Sequence, residues 1–499
     1  LSLAKPKAWL VRERIPFWRL ILHYLGISSL AIGFAYKIII LVMFFSFRED
    51  IFEMLLPFST ASLISISLGL ALYLAGGEVR PLKLGEAMSI SALIWLFIPM
   101  LGSFPFILSG HLDPLSAYFE SMSGFTATGL TMFYKVEQLP ETLLLWRSTT
   151  QWIGGVGIIV LFLTILGRES TAGKLYAAEG RTDRIGFSII STARWVWIIY
   201  IFYTILCALL LFFVIHDGFL AVNFAMTTLA TSGFAPTDAS VESLHSLPAE
   251  VIIIAFMVIG ATSFVLHSHF LTRGIYNPLR LYRVRKRAPI REKASKALIL
   301  EFLFMISLAL IGSIIVSWAQ GWDLRGGFFQ AFSAISTTGH QNEILNSYAP
   351  ISKTVLALLM VVGACGGSTG GALKSFRVLF LFIAIGWVVR RKLLPGSAVV
   401  PLKVGDRTYK DEDVMDVALY VFLYFGALII GALIFMGAGY GLENSLLEVA
   451  SAQGNVGLSV GITGRGMEAY QKVVLIIEML LGRLEIIPVF VLLRRLFPL

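Results

Sequence analysis

The stretch Phe119-Glu120-Ser121-Met122-Ser123-Gly124-Phe125-Thr126-Ala127-Thr128-Gly129-Leu130-Thr131 is too short and too polar to span a bilayer, yet long apolar runs flank it. Variants recur three more times: Thr227-Thr228-Leu229-Ala230-Thr231-Ser232-Gly233-Phe234, Ala334-Ile335-Ser336-Thr337-Thr338-Gly339-His340, and Ala452-Gln453-Gly454-Asn455-Val456-Gly457-Leu458-Ser459. The glycines at 129, 233, 339 and 457 are spaced by 104, 106 and 118 residues. Four near-equal repeats, each with one short polar loop, suggest four loops meeting on one axis. Backbone carbonyls gathered there can replace the hydration shell of an ion.

Composition agrees. Of 499 residues, 57% are hydrophobic and only 14% charged, with a mean hydropathy of +0.80. A soluble chain of this length could not hide so much apolar surface, so the reading is an all-α polytopic membrane protein. The net charge of +9 is read as one-sided loop charge rather than a nucleic-acid surface. Cys207 and Cys365 both lie in apolar stretches and offer neither a disulfide framework nor a metal signature. The basic N-terminus (Lys5, Lys7, Arg12, Arg14, Arg19) precedes a long apolar run without a small-residue cleavage pattern, so a first helix held in the membrane is expected. The aromatic residues need no organic cofactor: they suit lipid-facing and interfacial surface.

Taken in order, residues 1–84 hold two helices, roughly 25–45 and 52–76, joined by Arg48-Glu49-Asp50. Repeat 1 occupies 85–192, with spans near 87–109 and 143–166 around a short helix from Asp113 to Phe125, then a charged segment from Arg168 to Arg184. Repeat 2 occupies 193–296, with spans near 194–215 and 248–270 and a short helix at 218–229. Repeats 3 and 4 occupy 297–412 and 413–499, with spans near 297–319, 352–388, 415–438 and 469–493. Spans of about 20 residues cross a bilayer core, whereas the short helices must be buried in protein or line water.

Charge sets the orientation. Segment 272–296 carries Arg273, Arg280, Arg283, Arg285, Lys286, Arg287, Arg291, Lys293 and Lys296, and segment 389–410 carries six more basic residues. Segment 216–250 carries Asp217, Asp238, Glu242 and Glu250 with no Lys or Arg. The positive-inside bias then places both termini in the cytoplasm, with ten spans and all four polar loops entering from outside. A second mark follows each loop: Gly154, Gly260, Gly363 and Gly482 stand 25, 27, 24 and 25 residues beyond the loop glycines. Small residues there suit either close helix approach or the wall of a narrow pore.

With these loops, Gly366-Gly367-Ser368-Thr369-Gly370-Gly371-Ala372-Leu373-Lys374 and Gly482-Arg483-Leu484-Glu485, the chain resembles the Trk/Ktr/HKT superfamily of potassium transporters over about 87–493. The N-terminal helix pair makes it similar to the TrkH-type membrane subunit. The resemblance implies four M1–pore-helix–M2 repeats around one central ion pore, plus the two extra helices. It implies a potassium filter lined by Ala127, Thr128, Gly129, Thr231, Ser232, Gly233, Thr337, Thr338, Gly339, Asn455, Val456 and Gly457. In related plant proteins a serine at the first glycine position accompanies sodium transport, so Gly129 favours potassium. His340 departs from the aromatic or aliphatic residue expected after the third glycine. The resemblance further implies a homodimer in a prokaryotic plasma (inner) membrane and a TrkA-like cytosolic regulator of the nucleotide-binding RCK type.

The residues themselves argue for the same chemistry. Glycine lets carbonyls point inward without a Cβ clash, and short-helix C-termini add a partial negative potential that favours a cation. No carboxylate ring stands at the glycines, which argues against a divalent-cation filter. Two features look regulatory. Five glycines in the nine residues 363–371 should break the third repeat's second span, since each costs a helix about 1 kcal/mol relative to alanine. The run, with gate residues Gly366, Gly367, Ser368, Thr369, Gly370, Gly371 and Lys374, reads as a gate or as tight helix packing. Arg483, charged inside a span, reads as a pore-facing cation or as a partner of Glu478 or Glu485.

Several residues stay open between two readings. Lys374 either bridges the gate run to a carboxylate or snorkels, and Glu120 and Asn223 either brace the loops or cap their helices. His267 and His269, at i and i+2, do not share a helix face and point to a helix end rather than a metal. An intramembrane enzyme would need a convergent acid, base or metal site, and none is visible. A proton- or sodium-coupled secondary cation transporter is the alternative, with Glu478 and Glu485 as candidate coupling carboxylates. The topology is testable with cysteines placed at Ser243 and Ser295 and an impermeant thiol reagent on intact cells. Labelling is expected at position 243 alone; labelling at 295 alone would invert the orientation.

Overall fold

The computed structural model describes residues 15–47, 50–157, 174–175, 178, 188–276, 296–395, 398 and 400–497. The loop 277–295 and nearly all of Arg168–Arg184, on which part of the charge argument rests, lie outside the described residues.

Helices α1 (Phe17–Ser46) and α2 (Ile51–Gly76) form an antiparallel pair whose contact face is built from small residues. Ser29 Oγ donates to Ser65 O at 2.7 Å, and Ser62 Oγ donates to Gly33 O at 2.9 Å. A Cβ on Gly26 would lie 2.5 Å from Tyr73 N, and one on Gly69 would lie 2.8 Å from Leu30 N. Lipid offers no hydrophobic drive between two apolar helices, so close backbone approach and interhelical hydrogen bonds hold the pair. Tyr36 Oη donates to Leu101 O at 2.6 Å and ties α1 to the next helix.

From there one pattern is repeated four times: a long helix, a helix of 12 residues and a second helix. The first unit has α3 (Leu84–Gly102) with its continuation α4 (Phe104–Leu108), α5 (Pro114–Phe125) and α6 (Glu141–Val156). The second has α7 (Ile189–Ile215), α8 (Gly218–Leu229), α9 (Leu247–Ala261) and α10 (Phe264–Tyr276). The third has α11 (Lys296–Ala319), α12 (Leu324–Ile335), α13 (Pro350–Val362) and α14 (Ser375–Leu393). The fourth has α15 (Asp411–Gly437), α16 (Leu442–Gln453), α17 (Ala469–Leu484) and α18 (Ile487–Leu496).

The short helices start on a side-chain cap in three units. Asp113 accepts from Leu115 N and Ser116 N, Asp217 from Leu220 N and Asp323 from Gly326 N, at 2.9–3.1 Å. Each first helix packs on the short helix of its own unit. Each second helix packs on the short helix of the next unit: α6 on α8, α9 on α12, α13 on α16, and α17 back on α5. The last contact closes the circle, so the four short helices stand inside a continuous wall.

Among the described residues, six helices are long and apolar enough to cross a membrane: α1, α2, α3 with α4, α7, α11 and α15. The break expected in the third unit's second span is present, and the second helices of the other units, expected unbroken, are interrupted or stop early as well. Helix α9 turns by 106° into α10, α13 stops at Val362 before α14 resumes at Ser375, and α17 gives way to α18 across Glu485 and Ile486, both with positive φ. Helix α6 ends at Val156. The breaks fall just after Gly260, Gly363, Gly482 and Gly154, where carbonyls and side chains turn to partners in other units.

A two-stranded hairpin, β1 (Leu402–Val404) and β2 (Arg407–Tyr409), was not foreseen. Its turn is Gly405-Asp406, and Tyr409 packs edge-on against Phe380 of α14 at 5.0 Å. Leu402 and Val404 are buried with Phe380 and Ala384 in a small core separate from the main one. The close contact at Gly69 makes a prediction. Gly69→Leu should part α1 from α2 and cost about 1–3 kcal/mol, read as a lower melting temperature in detergent; an unchanged melt would refute the packing.

Candidate functional site

The C-termini of the four short helices converge, and they end in the same way. The amides of Ala127, Thr231, Thr337 and Asn455 donate three residues back, at 2.9–3.1 Å. The amides of Thr128, Ser232, Thr338 and Val456 donate five residues back, at 2.8–3.0 Å. Ala127, Thr231, Thr337 and Asn455 all take left-handed φ, between 49° and 58°. This helix stop normally takes glycine at its left-handed position. Here a residue with a side chain holds it in every unit, which identifies a constrained turn.

The glycines that follow meet in a ring. A Cβ on Gly129 would fall 2.5 Å from Gly233 Cα, and one on Gly233 would fall 3.0 Å from Gly339 O. One on Gly339 would strike Val456 O, and one on Gly457 would strike Thr128 O. Each glycine therefore abuts the next loop, and the fourth abuts the first. Gly129, Gly339 and Gly457 have φ of 101°, 80° and 106°, whereas Gly233 lies outside the left-handed region. All four line an open cavity of about 430 Å³ that also touches Phe133, Tyr134, Asp238 and Gln341.

Behind the ring, each loop is braced differently. Glu120, fully buried, accepts from Thr131 Oγ1 at 3.0 Å, Met132 N at 2.7 Å and Arg147 Nε at 2.8 Å. Arg147 also donates to Ala235 O at 3.1 Å and lies over the Phe234 ring at 4.1 Å, joining units one and two. Nine residues before its glycine, the fourth unit has Glu448, which accepts from Ser459 Oγ, Val460 N and Thr463 N at 2.8–3.2 Å. The equivalent residues in units two and three are Phe224 and Gln330. His340 is buried with its ring edge-on to Phe224 at 5.5 Å, and its carbonyl accepts from Ser333 Oγ at 2.7 Å. It thus packs behind the ring, between units two and three. Gln151 of α6 accepts from Ser232 Oγ at 2.8 Å and Phe234 N at 3.1 Å. Asn223 accepts from Ser148 Oγ at 2.6 Å, and Asn455 donates to Thr128 Oγ1 at 3.1 Å. Glu120 thus holds the first loop, whereas Asn223 ties α8 to Ser148 of α6.

The second set of glycines seats the outer wall. A Cβ on Gly154 would strike Phe125 O, one on Gly482 would strike Gln453 O, and one on Gly260 would lie 2.7 Å from Leu229 O. In each case the struck carbonyl belongs to the last residue of that unit's short helix. Close approach to the short helix is therefore what these glycines allow.

The glycine-rich run between α13 and α14 lies across the loops. Thr369 Oγ1 reaches Gly260 O at 2.9 Å, Leu229 O at 3.1 Å and Thr231 Oγ1 at 3.1 Å. Gly371 N donates to Thr337 Oγ1 at 3.1 Å, and Gly371 abuts Gly454 O and Asn455. Cys365 N donates to Ala261 O, and Gly367 O accepts from Phe264 N, both at 3.0 Å. Glu301 of α11 accepts from Gly366 N at 2.6 Å. Ser368 Oγ donates to Cys365 O at 2.6 Å, and Lys374 Nζ donates to Gly370 O within the run. Arg483 donates to Thr369 O at 3.1 Å, Gly155 O at 3.0 Å and Gly154 O. One guanidinium thus links units four, three and one. Glu485 pairs with Arg377 at 2.5 Å. His267 meets Ile259 O at 2.9 Å and Tyr203 Oη at 3.3 Å, a helix-bend role.

Sequence reasoning had not picked out Arg147, Gln151, Glu301 or Glu448. Only Glu448 left a signal, through its register with Glu120. The comparisons with known proteins bear on this arrangement. A family model described as TrkH, cation transport protein, matches residues 57–498. An uncharacterized cation transporter of Methanocaldococcus jannaschii is 33% identical over 84% of each chain. The Trk system potassium uptake protein TrkH of Salmonella typhimurium is 30% identical over 83% of this chain and 86% of that protein. The crystal structure of the potassium transporter TrkH from Vibrio parahaemolyticus superposes with a TM-score of 0.80 at 25% identity, covering 95% of this chain and 98% of the other. With converging loops, a closed ring and these relatives, the chain belongs to the TrkH family of cation transport proteins.

Proposed function

We propose that this protein carries potassium into the cell through one pore on the axis of the glycine ring, and that the four units and the N-terminal helix pair are its frame. The observation that carries the reading is the closure of the ring: each loop glycine abuts the next loop, and the fourth abuts the first. Potassium is the cargo of the Salmonella relative named above. The filter is formed by Ala127, Thr128, Gly129, Thr231, Ser232, Gly233, Thr337, Thr338, Gly339, Asn455, Val456 and Gly457. Their backbone oxygens are the dense polar surface at the junction and can stand in for water around a dehydrated cation. Rigid spacing of those oxygens is the purpose of the braces. Losing Arg147 would leave the Glu120 carboxylate buried without its charge partner, which costs about 3–5 kcal/mol.

The run Gly363–Gly371 is the gate, a reading supported by its position across the loops. It is held by hydrogen bonds to units two and three and by Arg483 of unit four, whose charge opposes a cation below the ring. Lys374 secures its end. The helix that leaves the gate, α14, ends in Arg390, Arg391 and Lys392 and carries the hairpin against it, which suits regulation by a cytosolic nucleotide-binding subunit. The active form is a homodimer in the plasma membrane with both termini inside. Coupled transport is the second reading, favoured by one observation: with Glu485 paired to Arg377, Glu478 stays as a carboxyl buried in a span.

Two experiments test this. Gly129→Ser, at a position with φ of 101° that abuts Gly233, should disturb one quadrant of the ring and shift flux toward sodium. An unaltered potassium-over-sodium permeability in liposomes would remove Gly129 from the filter. Deleting residues 366–370 should raise basal potassium flux and weaken its dependence on the regulator. A deletion protein that reaches the membrane and keeps full regulation would place the gate elsewhere.

A further inference from the structure

Glu478 lies one turn before Gly482 on the same face of α17 and is 4% exposed. Three helices enclose it. Gly431 of α15 leaves it room: a Cβ there would lie 2.8 Å from Glu478 Oε1 and 2.7 Å from Val449 Cγ1 of α16. Oε2 is buried without a hydrogen-bond partner. So are Tyr424 Oη and Tyr420 Oη of α15, Gln453 Oε1 at the end of α16, and Asn455 Oδ1 just beyond it.

The charged groups nearby are engaged elsewhere. Arg377 of α14 pairs with Glu485 and lies over the Tyr420 ring at 4.4 Å. Arg483 of α17 reaches Thr369 and Gly155, and Lys472 of the same helix donates to Ser116 Oγ at 3.0 Å. Glu448 of α16 turns to Ser459 and Thr463, and Lys353 of α13 donates to Asn444 at 3.0 Å. An ionised carboxylate enclosed in this way would carry a desolvation cost that no counter-charge offsets. A neutral acid fits the enclosure.

A short covalent and hydrogen-bonded path leads from this acid to the ring. Met479, next in sequence, accepts at its carbonyl from Asn455 Nδ2 at 2.9 Å. The same amide donates to Thr128 Oγ1 at 3.1 Å, and Asn455 holds the left-handed turn of the fourth loop. We propose that Glu478 is a proton-binding site in the wall of the fourth unit, and that its proton keeps Asn455, and through it the fourth quadrant of the ring, in register. Loss of the proton places a bare charge beside the Met479 carbonyl and loosens that hold. Ion selection thereby becomes proton-linked. This rests on the reading of the ring as a filter.

The test is potassium and sodium flux through the purified protein in liposomes, with equal pH on both sides, from about pH 6 to about pH 9.5, the range in which buried glutamates titrate. In the wild type, potassium-over-sodium selectivity should fall at least about fivefold toward alkaline pH, the low end of ordinary coupling between two sites. Glu478→Gln, isosteric and always neutral, should abolish the dependence. Glu478→Asp should keep it with a displaced midpoint. A flat wild-type profile overturns the proposal, and so does a wild-type profile in Glu478→Gln. Should the glutamine variant not assemble, an aspartate variant with an unmoved midpoint overturns it equally. Failure of the filter reading looks different: potassium is then not preferred at any pH, and Gly129→Ser changes nothing.

Discussion

A backbone amide or carbonyl inside a bilayer must find a partner within the protein, because no water is there to supply one. The rest of this structure depends on that constraint. Four non-helical loops are buried among apolar helices, and each is tolerated because its helix ends in two backbone hydrogen bonds and its neighbours supply others. On the filter reading proposed above, a cation on the axis would serve as partner to the carbonyls left over. The braces behind the ring answer the same requirement from the other side. Glu120 and Glu448 collect amides and hydroxyls that would otherwise be buried unpaired.

The broken second helices follow from it as well. Ending α6, α9, α13 and α17 early frees carbonyls, and the structure uses some of these to tie units together. Gly154 and Gly155 at the end of α6 take Arg483, and Gly260 at the end of α9 takes Thr369. The glycine-rich run is thus held by the ends of helices from other units. A motion of any one of those ends alters the grip on it.

Much of this was legible in the sequence, and the unread parts have physical causes. The 104- to 118-residue spacing of Gly129, Gly233, Gly339 and Gly457 marked four loops, and each follows a helix of 12 residues. The first span began earlier than expected, because Phe17 to Leu25 reads as interfacial yet continues the helix. The end of α17 was marked only by Pro488 just beyond it, and the break is held by contacts of Arg483 to Thr369 and Glu485 to Arg377. Arg147 and Gln151 act across a unit boundary, and no local pattern announces such a contact. The hairpin did leave a signal: Gly405-Asp406 sits between Leu402-Lys403-Val404 and Arg407-Thr408-Tyr409, an alternation flanking a turn pair.

The four quadrants of the ring belong to one polypeptide, and this changes how the site can be altered. In a pore made by four identical chains, a single codon change is felt four times at once. Here a change at Gly129 is felt once, and His340 already shows a quadrant that has gone its own way, with Phe224 and Gln330 standing where units one and four have carboxylates. With the ring as the proposed filter, a substitution therefore alters one quadrant of it at a time.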